Sequence, residues 1–559
     1  MRTRKLGARG EDPTEAYTVD IPAARKTPDG ADGAFAPLRI RLFRGIWIAS
    51  MVSNLGTWMH FVAASWLMAS LTVSVTLVAL LSTADAVPSF ALSLPAGAMA
   101  DVFDRRRLII ATQAIQLAVA AVLAAVTLAG GASPALLLAT TTALAVGATL
   151  GRPAFAAVTP ELVSPEQLPA AISVNSLTST LAQTVGPALG GILVAAVGAG
   201  AVFLINAASF LGVIIVIAAW RRAPQVHKLP PEHIAHAIRT GIRYTANAPE
   251  LAAVLVRDAA YAVSYIALPT LLVLVTRRQL HGTAGDYGLL LGLAGVGGVV
   301  AAFTLPQLRA RLQIDLLVTI ASIIYGAVLW AVAASHTLPP VAAAMIVAGF
   351  CQVTVTSSLM IGAQKVLPSW VRGRGLAIFQ MTYQAALAGG AVIWGAVATR
   401  FGIPVALEIG GTLLALSTLL GFVAKLSGTE RVDVRSCDQA IPNPHVAVDP
   451  DDGPVLVTIE YRVPAEGRVA FGHALADLRR ARRREGAIHW SVYTDVASPE
   501  THVENYVVSS WTEHERQAER RTERNQSAFD RVVDLHAGPG QPVERYLLGQ
   551  HFRRGDRAG

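Results

Sequence analysis

Between residues 44 and 427 the chain carries about twelve apolar runs, each roughly 20 residues or longer, separated by short polar breaks. A run of that length crosses the hydrocarbon core of a bilayer as an α-helix. There, every backbone N–H and C=O must find its partner within its own helix. The runs lie near 45–70, 75–100, 107–130, 134–157, 169–197, 200–220, 251–276, 284–306, 314–335, 339–363, 374–399 and 403–426. Composition agrees: 53% of residues are hydrophobic and 15% charged, where soluble domains carry about 25% charged. The chain is therefore expected to be an all-α polytopic membrane protein rather than a soluble enzyme. Cys351 lies in an apolar run and Cys437 in a polar stretch, which gives no disulfide framework.

An even span number puts both termini on one side, and charge says which. The N-terminal tail and alternate loops are assigned Arg105, Arg106, Arg107, Arg152, Arg221, Arg222, Lys228, Arg239, Arg243, Arg309, Arg311, Lys365, Arg372 and Arg374. The opposite loops hold Arg277, Arg278 and Arg400. The excess of basic residues marks the cytoplasmic face, so both termini are expected in the cytoplasm and the chain in the cytoplasmic membrane. Nucleic acid is not an expected partner: residues 430–559 hold 18 basic and 21 acidic residues, and the net charge of +8 arises from the apolar region.

The basic stretch 221–250 divides the spans into two six-helix halves, 44–220 and 251–427, behind a polar tail at 1–43 read as disordered. The halves echo each other: Pro160-Glu161-Leu162-Val163-Ser164-Pro165 follows the fourth span and Lys365-Val366-Leu367-Pro368-Ser369 the tenth. Paired halves of this kind build secondary transporters with the substrate site between them. After a linker at 428–453, residues 454–559 read as a soluble α+β domain. Val455, Val457, Ile459, Tyr461 and Val463 alternate as a strand, and Phe471, Ala474, Leu475 and Leu478 recur at helical spacing. Ile488-Trp490-Val492 and Val503-Asn505-Val507 form two more strands, Thr512 and Glu515 a capping box for a helix to about Leu535, and Val543–Phe552 a last strand. The order β-α-β-β-α-β is ferredoxin-like.

The sharpest local signal is Gly97-Ala98-Met99-Ala100-Asp101-Val102-Phe103-Asp104-Arg105-Arg106-Arg107 between the second and third spans. Gly97 permits close helix approach, and Asp101, Arg105 and Arg106 supply charge pairs for a gate. The stretch resembles the major facilitator superfamily signature G-x-x-x-D-x-x-G-R-R, with Asp104 in place of the second glycine. Gly186-Pro187-Ala188-Leu189-Gly190-Gly191 in the fifth span is similar to the G-P-x-x-G-G signature of that superfamily's exporters. Trp47–Trp58, Leu94–Asp101 and Thr159–Val163 resemble the enterobactin-exporter-like branch, also called transmembrane secretion effectors. Ser510-Trp511-Thr512-Glu513-His514 resembles a stretch of its C-terminal extension. Pro306-Gln307-Leu308-Arg309-Ala310-Arg311, the second-half copy of the loop signature, lacks the acidic residue.

Ionisable groups inside spans are functional candidates because burying them is costly. Asp85 leads for proton coupling or substrate binding, followed by Glu408 and Asp258; Arg257 and Asp258 also suit a simple interfacial pair. Ser50, Ser53, Asn54, Thr57 and His60 or Phe61 share one face of the first span, with Trp58 and Trp66 as stacking surfaces. Gln113, Gln116, Gln352, Gln380 and Gln384 add neutral hydrogen-bonding groups, though such residues also serve as interhelical glue. This set suits a small organic solute. The chain lacks G-x-x-x-x-G-K-[ST], Cys/His metal spacing and G-x-S-x-G, so no cofactor is expected, and the resemblance implies that protons supply the energy.

The C-terminal domain resembles an antibiotic-biosynthesis-monooxygenase-type domain, which implies dimerisation. It leaves a catalytic role open for His473, His489, Trp490, His502 and His514. The expected function is export of a siderophore, secondary metabolite or drug, by proton antiport through alternating access. A membrane-tethered enzyme is the alternative.

Overall fold

The computed structural model describes residues 35–164, 166–220, 242–368, 370–426, 448–449 and 452–549. The tail to residue 34, most of the central loop and most of the linker lie outside the described residues, as do the side chains of Asp101 and five other residues. The first half comprises α1 (Arg41–Leu71), α2 (Val75–Val102), α3 (Arg105–Leu128), α4 (Pro134–Leu162) and α5 (Leu168–Ala219). The second comprises α6 (Pro249–Tyr265), α7 (Ala267–Leu274), α8 (Ala284–Arg311), α9 (Ile314–Ala334), α10 (Leu338–Val366), α11 (Arg372–Phe401), α12 (Ile403–Ser417) and the short α13 (Leu420–Val423).

Among the described residues, ten helical segments are long and apolar enough to cross a bilayer. One of them, α5, is 52 residues long but leaves helical geometry at Gly198, with φ 81° and ψ 166°. Positive φ is open to glycine without a Cβ penalty, so this residue turns the chain and α5 makes two crossings, 168–197 and 199–219. The 31-residue α1, whose polar stripe dilutes its hydropathy, completes twelve. Large apolar side chains on the outer surface, among them Ile192, Leu204, Phe303 and Ile323, are exposed. In water such a belt is a liability; in lipid it is the required solvent-facing surface.

Within the first half α1 packs along α5, α2 along α4, and α3 against α4 and α5. In the second, α8 packs along α10, α9 along α10 and α12, and α6 along α11. The halves meet through two pairs, α2 with α11 and α5 with α8. Both contacts concentrate at one end of the bundle. Thr76 and Thr399 hydroxyls lie 2.9 Å apart, Arg277 donates to Ser70 Oγ at 2.6 Å, and Arg278 donates to the Val73 carbonyl at 2.8 Å. At the other end a Cβ added to Gly97 or Gly373 would meet nothing within 4 Å. Hydrogen bonds thus join the halves at the first end.

The C-terminal domain comprises β1 (Val455–Arg462), α14 (Arg468–Glu485), β2 (His489–Thr494), β3 (Thr501–Val508), α15 (Trp511–Arg520), α16 (Glu523–Val533) and β4 (Val543–Leu548). The strands form one antiparallel sheet in the order β2-β3-β1-β4. Val455, Val457, Ile459 and Tyr461 of β1 are buried in the core with Phe471 and Leu478 of α14 and Val532 of α16. The helix expected from Thr512 is two helices. Ser510, not Thr512, caps α15 by accepting from Glu513 N at 3.3 Å, and Thr522 opens α16 by accepting from Asn525 N. A capping side chain satisfies an N–H that the helix cannot; the sequence offers two adjacent hydroxyls, and spacing does not choose between them.

The domain docks on the second half at the second end of the bundle. Arg524 holds Glu250 with two bonds of 2.7 and 3.0 Å, Arg484 donates to the Asn247 carbonyl at 3.1 Å, and Arg243 donates to the Gly486 carbonyl at 2.7 Å. The Arg520 guanidinium lies 4.8 Å above the Trp370 ring, in the connection between α10 and α11.

Candidate functional site: a cavity between the halves

A cavity of about 540 Å³ lies between the two halves, lined by residues from α1 through α11. Its size suits a small organic molecule. Thr57, His60, Asp85 and Gln384 line it, as do Gln116, Gln352 and Trp58. The α1 stripe thus faces the cavity in part. Thr57 also donates to the Ser53 carbonyl at 2.9 Å, while Ser53 is buried and Asn54 lies outside the lining. Both ring nitrogens of His60 lack a partner among the described residues, and the ring packs 4.6 Å from Phe203. Gln113 is buried outside the lining, its Oε1 without a partner among the described residues, and Gln380 is likewise outside the lining.

Asp85 and Arg152 are the charged residues of the lining, both exposed to the cavity. Arg152 was counted above among the loop arginines, and the structure corrects this. It lies within α4, which continues to Leu162, and it lines the cavity together with Asp85. The two helices are tied beside the pair by the Ser89 and Thr149 hydroxyls at 3.1 Å. The sequence signal for Arg152 was present in the apolar residues that follow it, Pro153 to Val158, which carry the helix past the charge.

Opposite stands an aromatic wall from the second half: Tyr265, Tyr325 and Tyr383. Tyr265 and Tyr325 ring centroids are 5.4 Å apart, and Tyr261 stacks behind at 5.6 Å from Tyr265. Asp258 is fully buried, outside the lining, with neither carboxyl oxygen partnered among the described residues. Its neighbour Arg257 pairs instead with Asp315 of α9. Glu408 sits partly buried on α12, which contributes nothing to the lining.

The two glycine motifs fall at opposite ends. A Cβ on Gly186 would lie 2.6 Å from Trp58 Cβ and one on Gly190 2.8 Å from Met59 Cα, so these two admit α1. A Cβ on Gly191 would lie 2.5 Å from the Ala284 carbonyl oxygen, so it admits α8 of the other half. Pro187 lines the cavity. Small residues let helix backbones approach in this way. At the second end Arg105 pairs with Glu161 of α4 at 2.6 Å, and Arg106 donates to the Ile217 and Ala218 carbonyls at 3.1 and 2.5 Å. Cations at a helix C-terminus complement its dipole. Asp104 caps α3 by accepting from Arg107 N at 2.9 Å.

The C-terminal histidines do not converge. His473 and His489 are exposed; His502 packs 5.1 Å from Phe471 and His514 5.0 Å from Tyr546. Trp490 Nε1 donates to Glu504 at 2.9 Å, joining Tyr461 and Arg482 around that buried carboxylate.

A family model described as transmembrane secretion effector matches residues 32–553. Among curated proteins, the chain is 22% identical over 335 residues to the staphyloferrin A transporter of Staphylococcus aureus, covering 60% of this chain and 84% of that one. It is 24% identical over 352 residues to an uncharacterized MFS-type transporter, y4rN, of Sinorhizobium fredii, covering 62% and 85%. Among solved structures it resembles an inward-facing, unoccupied bacterial homolog of the human lysosomal transporter Spinster, with TM-score 0.56 at 14% identity, covering 70% of this chain and 97% of that one. A variant of the nucleoside transporter NupG matches with TM-score 0.59 at 11% identity, covering 69% and 100%. The twelve crossings, the cavity between paired halves and the family match together place this chain: it belongs to the transmembrane secretion effector family of MFS-type membrane transporters.

Proposed function

We propose that the protein exports a small organic solute, a siderophore, other secondary metabolite or drug, from the cytoplasm by proton antiport through alternating access. The observation that carries this is the cavity shared by two halves that hydrogen bonds join at one end. The second end is taken as the parted one, and the distribution of basic residues supports assigning it to the cytoplasm, with both termini there and the chain in the cytoplasmic membrane. The cavity is then loaded from the cytoplasm. Asp85 is the carboxylate on which proton and cargo act in turn, and Arg152 sets the field in which they do so. Thr57, His60, Gln384 and the aromatic rings bind the body of the cargo. Rocking of the halves would bring Gly97 and the Arg105–Glu161 pair toward the second half and part the Thr76–Thr399 end. The name of the staphyloferrin A transporter favours a siderophore among the cargo classes. The C-terminal domain is proposed to be a ferredoxin-like dimerising or regulatory module rather than a catalyst.

The test compares small molecules in medium and cytoplasm with and without the gene, under iron-poor and iron-rich growth. A metabolite that accumulates inside the deletion strain and vanishes outside supports export and names the cargo. An unchanged medium in both conditions contradicts it for native metabolites.

A further inference from the structure

Asp258 is the buried acid that the cavity does not account for. It is 0% exposed, and both of its oxygens lack a hydrogen-bond partner among the described residues. An ionised carboxylate in that position costs many kcal/mol, whereas a protonated one costs only its unmade hydrogen bonds. The groups around it offer no compensating charge. Tyr261 and Tyr265 follow it on its own helical face at the i+3 and i+7 positions. Tyr325 from α9, Cys351 from α10 and Tyr383 from α11 complete the titratable cluster around these rings. Arg257 is engaged with Asp315, and no ion pair or hydrogen bond reaches the Asp258 oxygens among the described residues.

The cluster also reaches the cavity. Tyr383 lies near Asp258 without a hydrogen bond to it, and Tyr383, Tyr265 and Tyr325 all line the cavity. The Tyr261 hydroxyl, buried between them, has no partner among the described residues. A phenol both donates and accepts, so a tyrosine standing between an acid and a wet cavity can hand a proton across.

We propose that Asp258 is a second proton-carrying site, in the opposite half from Asp85, loaded from the cavity through Tyr383. The transfer balances: the Tyr383 hydroxyl closes on the carboxylate and gives it a proton, the phenol oxygen takes a proton from cavity water, and the hydroxide left behind passes to bulk solvent. The consequence for transport rests on the antiport described above; the site itself does not.

The test therefore uses the purified full chain without cargo. Infrared difference spectra recorded across pH report the C=O stretch of protonated carboxyl groups. The wild-type protein is expected to show such a band at neutral pH, lost in Asp258→Asn and retained in Asp85→Asn. A band lost in Asp85→Asn and retained in Asp258→Asn overturns the assignment, as does no band in the wild type. Asp258→Glu should keep a band and serves as the variant that folds if Asp258→Asn does not. Tyr383→Phe should keep the band but slow deuteration of the acid about tenfold or more; an unchanged rate removes Tyr383 from the route. If the spectra behave as expected but no solute is exported, the exporter reading fails and the proton site stands.

Discussion

Asp85 and Arg152 place one negative and one positive charge on a cavity wall otherwise built from neutral groups. A lone charge near the bilayer midplane is costly, and an opposite charge within reach lowers that cost. Asp85→Asn should abolish export driven by a pH gradient, at least tenfold in rate, while the variant still assembles in the membrane. Flux of the identified cargo from loaded vesicles measures this. The residue scale was only partly legible. Asp85 could be singled out because an acid in an apolar run is rare. Arg152 was hidden because its distance from the span end, rather than its type, decides its role. Asp258 could be read as half of a pair with Arg257, since sequence adjacency does not reveal that Asp315 on another helix takes the arginine. In the C-terminal domain, burial holds the His514 imidazole below its ordinary pKa of 6.5. The unfolded chain then takes up a proton before the folded one does, so the domain loses stability as pH falls through that value. Amide hydrogen exchange at pH 5 and pH 7.5 should show this, and His514→Gln should flatten the difference.

Helices in this fold are placed by their small residues. Gly191 brings α5 against α8 so closely that an added Cβ would meet backbone at 2.5 Å, whereas Gly97 faces open space. The two glycines therefore predict different failures. Gly191→Val should force the halves apart and lower thermal stability by about 1–3 kcal/mol. Gly97→Val should leave the melting temperature nearly unchanged yet reduce transport, because the bulk obstructs only the closed form of the parted end. Thermal unfolding in detergent and cargo flux separate the two. Element boundaries were readable where backbone chemistry decides them, as at Gly198, where the apolar pattern breaks and positive φ follows. Which face of each helix meets the cavity was less readable, because helices apolar on nearly all sides carry no amphipathic signal.

At the scale of the whole molecule, the C-terminal domain and the second half form a joined unit through Arg524–Glu250, Arg484, Arg243 and Arg520. The sequence separates the two bodies but contains no signal that one docks on the other. Reversing the pair, Arg524→Glu with Glu250→Arg, should recover most of the stability lost by either change alone. A double-mutant cycle on unfolding should give a coupling of about 1 kcal/mol or more for this partly buried, two-bond pair.

The central claim is that the end joined by Thr76 and Thr399 must open for cargo to leave. Their hydroxyls stand 2.9 Å apart, close enough for Thr76→Cys with Thr399→Cys to form a disulfide in a background of Cys351→Ser and Cys437→Ser. Cargo efflux measured before and after reduction decides the matter. Efflux blocked while the disulfide is intact and restored by reductant is the predicted result; undiminished efflux through the cross-linked protein would contradict alternating access between these halves.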